Sequence, residues 1–584
     1  MLHEGGPGPR ELRLSRVLDF FGVPWTAVEV SKLAEENRSS PGYAVFGSLQ
    51  VIAAALKQLP AANSSASRPS VFYAYADDER DLCVRALQSV LGPNFSLEEA
   101  PAGNVFLNIS GELSGLAGPM AGLKVSSRLR TEDALLVGSP ASVESMFLTV
   151  ISAGGAPVFV RFRQNGALVF FCTSSQMVDI DQPVGPAFYD VKEHFCSVVP
   201  LIMFIKFIFR DVVWRPWELG ACLIIDDPLL RLHYGFCDFE KLRDLMRQNG
   251  FTTNIAFIPW NWRRTSPASA DFFRNESAFF SVSIHGCDHT AGEFGATSRE
   301  ILHSTARLAQ SRMRNHAEKT GVQHDSIMVF PQGVFSSICP DVLKHNGFLA
   351  AVNTEMVPVD SPNARTRIRD VWDIAIMRYG DFPIFTRRYA FHGLENFAFD
   401  LLLGKPCLIV AHHDFFKDGG ADLIQLIEKI ESLNCCLRWR PLGEVVRRAC
   451  RHRANGEGAE EVEMYGNELT IDNASDQEIE VRIRKRKSHD DLVSEILCNE
   501  KPVMWATETE HLVFGERVRS HTEKRFRVAY REQPDTGKVL RSLRLELSVA
   551  YRRVLSEFRD EYLSKSPFLS GFAGRLKGML GKAN

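Results

Sequence analysis

The sequence lacks several features that would place it in a common class of protein. Its 12 cysteines include no Cys-x-x-Cys pair, and the only close pair is Cys435-Cys436, so a cysteine-rich zinc module is excluded. Dispersed cysteines with apolar neighbours are typical of proteins from a reducing compartment. No basic segment followed by an apolar one opens the chain, and the net charge of -3 gives no general attraction to nucleic acid. We therefore expect a cytoplasmic location and no nucleic-acid partner.

Long apolar runs are also missing. Residues 198–209 are strongly apolar, but they are fewer than the roughly 20 residues that a membrane-spanning helix needs, and they include Lys206. A buried or docking helix is expected there, with contact in the membrane plane as the alternative. The tail, residues 564–584, places apolar residues at helical spacing beside Arg575 and Lys577 but contains several glycines. It is either a basic amphipathic helix on a membrane surface or a disordered tail, so peripheral membrane contact stays open.

The chain has the length of several domains and the composition of a globular protein, with 45% hydrophobic and 24% charged residues. Residues 11–195 alternate strand and helix patterns, which predicts an open α/β sheet similar to glutamine-amidotransferase-like or flavodoxin-like sheets. A Gly-x-Cys-x-Gly elbow and a glycine-rich phosphate loop are both absent there, which favours binding or scaffolding over catalysis. Repeated strand-helix units in residues 215–452 predict a distorted (β/α) barrel, and short alternating runs in residues 460–563 predict a β-sandwich. The expected fold class is α/β.

Acidic and histidine residues stand directly after the predicted strands of the central region. Asp226 and Asp227 follow the apolar residues 221–225, and His285 and His289 follow residues 280–284. Parallel barrels carry their chemistry at the carboxyl ends of the strands, so these side chains can meet. One aspartate and two histidines can hold a divalent cation and leave positions open for water and substrate. If these side chains do not come together, Asp-Asp-Pro is an ordinary strand end and the two histidines are an ordinary surface pair.

Further along the chain, Phe330-Pro331-Gln332-Gly333 and His412 also follow predicted strands. The order of these motifs over residues 221–419 resembles the polysaccharide deacetylase family. The resemblance implies a general base, Asp226, and a general acid, His412. It implies three metal ligands, which are Asp227, His285 and His289.

Other residues of the motifs are expected to support these groups. Pro331 and Gly333 occupy the family's third motif, and His413 is the alternative to His412. We expect Asp414 to hold one of these two rings, and Asp288 or Glu293 to orient a metal-ligating imidazole. The family usually has an arginine that orients the base two residues before the proline, where this chain has Val329. The candidates to replace it in space are Arg365, Arg367, Arg369 and Arg378.

The resemblance implies a hydrolase that removes an N-acetyl or O-acetyl group from a sugar with the help of metal-activated water. The metal expected is zinc, although cobalt, nickel or iron would suit the same ligands. The partner expected is a carbohydrate, such as a cell-surface glycan or its precursor. Two alternatives remain: a glycoside hydrolase that uses Asp226 with Asp288 or Glu293, and a catalytically degenerate barrel that binds glycans or serves in assembly.

Overall fold

The computed structural model describes residues 1–33, 43–58, 71–101, 103–138, 147–185, 188–360, 365–455, 458–487, 492–530, 543–563 and 565. The tail considered above, residues 564–584, lies outside this range except for Lys565. The fold is mixed α/β, as the sequence predicts, with a nearly closed parallel sheet at its centre and further sheets on either side of it in the chain.

The N-terminal region is built on an open sheet whose strands are only partly parallel. Its described strands lie in the spatial order Ala44–Ser48, Val71–Tyr75, Ala167–Cys172, Ala156–Gln164, Phe147–Ala153, Asn104–Ile109 and Lys124–Arg128. The first three are parallel and the others antiparallel, which differs from the all-parallel order of flavodoxin-like sheets. Asn165 and Gly166, with φ of 49° and 77°, form the tight hairpin turn that their sequence predicts.

Helices and short strand pairs complete this region. The helices are Pro9–Phe21, Leu49–Gln58, Arg80–Leu91 and Ser114–Ala117. The short pairs are Leu2–His3 with Val28–Glu29 and Ser96–Glu99 with Ala134–Val137.

The apolar run near residue 200 forms a buried helix, Phe195–Ile208. Its Phe204 packs edge-on against Phe46 and Phe170 of the N-terminal sheet, with ring centroids 5.3 and 5.1 Å apart. The other side of this helix meets the barrel helix Leu394–Leu403. The run is therefore a packing element between two regions. Among the described residues, no helix is both long and apolar enough to cross a membrane.

The central sheet is parallel and closes almost completely. Within the described residues we label its strands β1 (Leu219–Asp226), β2 (Thr253–Phe257), β3 (Phe280–His285), β4 (Ile327–Val329), β5 (Ala350–Asn353), β6 (Ile384–Thr386), β7 (Arg388–Tyr389) and β8 (Cys407–Ala411). Their spatial order is β6-β5-β4-β3-β2-β1-β8-β7, and Leu437–Trp439 pairs beside the start of β1. The two ends of the sheet, β6 and β7, are separated in sequence only by Arg387. The chain itself therefore bridges the seam of the barrel.

Helices follow the barrel strands as a (β/α) unit requires. They are Phe239–Asn249, Pro267–Asn275, Arg299–Thr320, Cys339–His345, Ile368–Trp372, Leu394–Leu403, Ala421–Glu431 and Leu442–Arg448. Local signals set their starts: the Asp238 side chain accepts from the N–H groups of Glu240 and Lys241, and Ser298 accepts from Ile301.

Two further sheets are built mainly from residues that follow the barrel in the chain. One has the order Arg215–Pro216, Cys450–Ala454, Ala459–Met464, Ile479–Arg486, His511–Val518 and Trp505–Glu508; the other has the order Glu468–Asn473, Thr522–Tyr530, Val493–Cys498 and Lys501–Pro502. A single apolar cluster draws residues from both sheets, among them Ile483 and Phe526. The β-sandwich arrangement itself stays a prediction.

The end of the described chain is helical, contrary to expectation. Residues 543–549 were expected as a strand because apolar and polar residues alternate there, yet they begin the helix Leu543–Phe558, which continues as a π-helical turn, Arg559–Leu563. We call residues 543–563 the C-terminal segment. It contacts the barrel, so its contacts overrode the local alternation.

Candidate metal and catalytic site

Three side chains predicted as metal ligands converge at the carboxyl ends of β1 and β3. Nε2 of His285 lies 3.3 Å from Oδ1 of Asp227, and Nε2 of His289 lies 3.0 Å from the same oxygen. The three ligand atoms all lie within 4.8 Å of one another. Oδ1 of Asp227 is buried and accepts no hydrogen bond. A buried carboxylate oxygen faced by two imidazole nitrogens fits a divalent cation.

The backbone supports this convergence at some cost. Asp227 has φ of 79° and His289 has φ of 57°, in the left-handed region that non-glycine residues rarely adopt. Such conformations cost on the order of 1–3 kcal/mol and cluster at functional sites. The occurrence of left-handed backbone conformations at two of the three candidate ligands agrees with a functional site.

The orientation of His285 is fixed by a backbone carbonyl. Its Nδ1 lies 2.9 Å from the oxygen of Val329, so the Nδ1–H donates there and Nε2 is left to face Asp227. Burial would lower the pKa of His285, but the carboxylates of Asp226 and Asp227 raise it. Burial would likewise raise the pKa of Asp227, but His289 and His285 hold it well below its usual value. The carboxylates of Asp226 and Asp227 therefore favour a positive charge at the position where these side chains meet.

The loop between the two histidines is held by Glu293. Its carboxylate accepts from the backbone N–H groups of Cys287, Asp288 and His289 at 2.8, 3.0 and 3.2 Å. Glu293 therefore positions the ligand loop through backbone contacts, and direct orientation of an imidazole ring by Glu293 stays a prediction. Asp288, the other acid considered for this role, pairs with Arg312 at 2.7 Å.

Pro331 of the third motif supports the same loop from the next strand, and Gly333 contacts Asn353. A Cβ on Gly286, whose φ is 64°, would come within 2.4 Å of Cγ of Pro331, so the two residues pack closely and position 286 requires glycine. The Gly333 carbonyl accepts from the Asn353 side chain at 2.8 Å. A role of these two residues in substrate binding stays a prediction.

Asp226 is buried beside this centre and held by Arg387. The two side chains form a bidentate pair, with Nη1 2.6 Å from Oδ1 and Nη2 2.7 Å from Oδ2. Burial would raise the pKa of Asp226, but Arg387, His285 and His412 together lower it. Arg387 thus fixes the orientation of the Asp226 carboxylate.

The arginines proposed from the sequence lie elsewhere. Arg367 and Arg369 pair with Asp181 of the N-terminal region at 3.4 and 3.2 Å, and Arg378 lies 3.8 Å from Asp370. Arg387 was missed because it stands between two very short strands, and the sequence gives no sign of the seam.

His412 follows β8 and is half-buried at the edge of the site. Its ring stacks on that of Tyr389, with centroids 6.0 Å apart and planes 9° from parallel. His412 also helps to lower the pKa of Asp226, so the two side chains are close enough to interact. An imidazole beside the carboxylate, on the exposed side of it, can act as a general acid.

His413 turns away from this position and meets the C-terminal segment. Its Nε2 lies 3.4 Å from Oδ1 of Asp560, and its ring stacks on Phe236. Asp414, expected to hold the ring of either His412 or His413, is exposed, and the His413 ring is held by Asp560. Asp560 also accepts a hydrogen bond of 2.8 Å from the hydroxyl of Tyr234.

The C-terminal segment therefore lies across one side of the candidate site. Glu557 pairs with Arg231 and Arg264, at 3.0 and 2.5 Å, in the loops after β1 and β2. The hydrogen bond to Asp560 raises the pKa of Arg559, and the carboxylate of Asp227 adds to the effect. No sequence signal linked residues 557–560 to the barrel.

No protein-family model and no curated protein matches the chain. Solved structures resemble part of it at low identity. A protein from Mycobacterium smegmatis described as a polysaccharide deacetylase is 13% identical over 40% of this chain and 92% of its own, with a TM-score of 0.29. The chitin deacetylase of Colletotrichum lindemuthianum is 16% identical over 42% and 91%, with a TM-score of 0.25. The family 4 carbohydrate esterase of Streptomyces lividans, in complex with acetate, is 14% identical over 36% and 85%, with a TM-score of 0.22.

Proposed function

We propose that the chain is a metal-dependent hydrolase that removes an N-acetyl or O-acetyl group from a carbohydrate. The observation that carries the proposal is the convergence of His285 and His289 on the buried Oδ1 of Asp227, beside the Asp226–Arg387 pair. These three residues would hold the cation, and zinc is the metal we propose for one carboxylate and two imidazoles. When bound, it would supply a Lewis acid that acidifies water and polarises an acyl carbonyl.

The chain's own residues account for the proton transfers. Asp226 is ionised and its two oxygens are fixed by Arg387, so it is oriented to accept a proton from the attacking water. His412, which is half-buried and close enough to Asp226 to lower its pKa, would protonate the departing amine or alkoxide of the sugar. Glu293 and Val329 keep the two histidines in position through backbone contacts.

The geometry also bears on the alternatives. A glycoside hydrolase would need a second carboxylic acid free to act on the glycosidic oxygen. Asp288 is paired with Arg312, and Glu293 accepts three backbone N–H groups, so both acids named for that role are already engaged. The absent third-motif arginine favoured a degenerate barrel, and the Arg387 contact removes that reason.

The test is metal analysis of the purified full chain together with acetate release. We expect about one equivalent of divalent metal, since the three ligands form one site, and release of acetate from N-acetylated or O-acetylated oligosaccharides. The His285→Ala/His289→Ala variant should lose both. Asp226→Asn should keep the metal and lose activity, because it removes the proton acceptor and leaves all three candidate ligands in place.

The control is His233→Ala. His233, Asp238 and Glu240 form a second, largely exposed group of potential ligands, and removing it should change neither the metal content nor the activity. Absence of bound metal from the unaltered chain, or retention of metal by the double variant, would disprove the proposal. Bound metal without acetate release from any acetylated glycan would leave a metal-binding protein and contradict the hydrolase function.

A further inference from the structure

The outer face of the C-terminal segment combines apolar and basic residues and carries no exposed acid. Among the described positions of this segment, those classed as exposed are Leu543, Arg544, Leu547, Ser548, Tyr551, Arg552, Val554, Leu555, Phe558, Arg559 and Tyr562. The exposed fractions of the apolar and aromatic residues in this set range from 48% for Leu555 to 80% for Leu543. We call these residues the outer face. Apolar surface of this density, interspersed with charge, indicates an interaction site.

The acidic residues of the segment all turn away from that face. Glu557 pairs with Arg231 and Arg264, and Asp560, only 3% exposed, is held by Tyr234 and His413. Glu561 pairs with Lys565, and Glu546 is half-buried. The described acids therefore lie on the barrel side, whereas Arg544 and Arg552 lie on the solvent side. Arg559 is exposed but pairs with Asp560, and Arg553 is half-buried.

The same contacts prevent the outer face from turning inward. If the segment rotated to bury its apolar side chains, Glu557 and Asp560 would lose their partners on the barrel, and charged pairs of this kind are costly to break. The barrel contacts thus hold the apolar side chains in the solvent, although exposure of apolar side chains to water is by itself unfavourable.

We propose that the outer face docks on the surface of an anionic phospholipid bilayer. Apolar and aromatic side chains beside arginines are the composition of helices that lie in a membrane interface, and anionic headgroups would supply the missing negative charge. The sequence beyond the segment, residues 564–584, also contains lysines and arginine and no acid.

A second copy of the chain is the less suitable occupant. Most homodimers are two-fold symmetric, so the outer face would meet itself and bring arginines against arginines with no carboxylate between them. An anionic bilayer has no such conflict. The proposal is independent of the proposed hydrolase function, because it uses no residue of the candidate metal centre.

The test is flotation of the full chain with lipid vesicles. We expect binding to phosphatidylcholine vesicles enriched in phosphatidylglycerol, weak binding to phosphatidylcholine alone, and loss of binding as salt is raised. Arg544→Gln and Arg552→Gln should each weaken binding about fivefold, the effect of one surface-adsorbed arginine. Leu555→Ser/Phe558→Ser should weaken it further, whereas Phe558→Trp should preserve or strengthen it.

The matched control is Leu492→Ser/Met504→Ser, which removes exposed apolar side chains far along the chain from the segment and should leave binding unchanged. An equal loss in this control would overturn the proposal, as would failure of the unaltered chain to float with anionic vesicles. Loss of binding in Arg575→Gln/Lys577→Gln/Lys582→Gln but not in the outer-face variants would assign binding to the tail instead. A shift from dimer to monomer in the outer-face variants, with flotation unchanged, would assign the face to a second copy.

Discussion

Arg387 combines a structural and a chemical role in one residue. It lies where β6 ends and β7 begins, at the seam of the barrel, and its guanidinium reaches Asp226 on β1 with two hydrogen bonds. Both side chains are almost fully buried. A planar guanidinium matches a carboxylate in a way that lysine does not, so it can fix both oxygens of Asp226 in one orientation.

Removing the arginine alone should be more harmful than removing both charges. Arg387→Met leaves a buried carboxylate without a partner and should lower the free energy of unfolding by about 3–5 kcal/mol. Asp226→Asn/Arg387→Met removes the unpaired charge, and chemical denaturation should show it to be more stable than the single variant. Arg378→Met, which removes a partly exposed arginine 3.8 Å from Asp370, should cost about 1 kcal/mol or less. Equal stability of the single and double variants would contradict this account of the pair.

The C-terminal segment shows how one element can be assigned wrongly from its local pattern. Residues 543–549 alternate apolar and polar side chains, as a strand does, yet the structure places them in a helix that extends to the barrel. The contacts that hold the segment come from its far end, through Glu557 and Asp560. A period-two pattern over seven residues is too short to compete with them.

Asp560 should control the attachment of this segment in a pH-dependent way. Burial would raise its pKa, but hydrogen bonds from His413, Arg559 and Tyr234 lower it overall. A lowered folded-state pKa means that the carboxylate stabilises the attachment above the unfolded value of about 3.9, and that this contribution is lost as the pH falls through the folded value. We therefore expect full attachment at neutral pH and loosening only in acid.

The Asp560→Asn variant should loosen the segment already at neutral pH, because it removes the charge that these donors stabilise. Hydrogen exchange of amides in residues 549–562 should quicken about tenfold or more, the effect of losing a hydrogen bond to a charged group. Glu561→Gln, which weakens only a surface pair with Lys565, should leave exchange unchanged. Unchanged exchange in Asp560→Asn would show that other contacts hold the segment.

At the scale of the molecule, the helix Phe195–Ile208 joins the N-terminal sheet to the barrel through apolar contact. One continuous cluster of buried residues includes Phe204 of this helix, Phe170 of the N-terminal sheet and Ile225 of β1. A shared core of this kind makes the stability of the two regions interdependent. The domain boundary predicted between residues 195 and 215 therefore divides the sequence, whereas the apolar core is continuous across it.

The Phe204→Ala variant tests this interdependence. It should cost about 3–5 kcal/mol, as buried phenylalanine truncations do, and calorimetry should show the unfolding of the N-terminal region and the barrel shifting together. Phe106→Ala, at a position 55% exposed on the N-terminal sheet, should cost about 0.5 kcal/mol or less. A shift confined to one region would show that the two unfold separately.

The sequence by itself determined most of the barrel and selected the candidate ligand set. Strong apolar runs mark β1, β2, β3 and β8 within one or two residues, because a strand buried on both faces reads as a continuous apolar run. Polar residues directly after those runs had to meet at one rim, which is why Asp227, His285 and His289 could be selected together.

Only the tertiary structure decided which groups support that centre. Arg387 stands 161 residues from Asp226, and Asp560 stands 326 residues from Tyr234. No local periodicity encodes contacts at such separations, since they depend on how the barrel closes and on where the C-terminal segment packs. The hydrophobic pattern of neighbouring residues in the sequence specifies each helix and strand. The partner of a buried charge is instead specified by tertiary packing, which brings together residues that are far apart in the sequence.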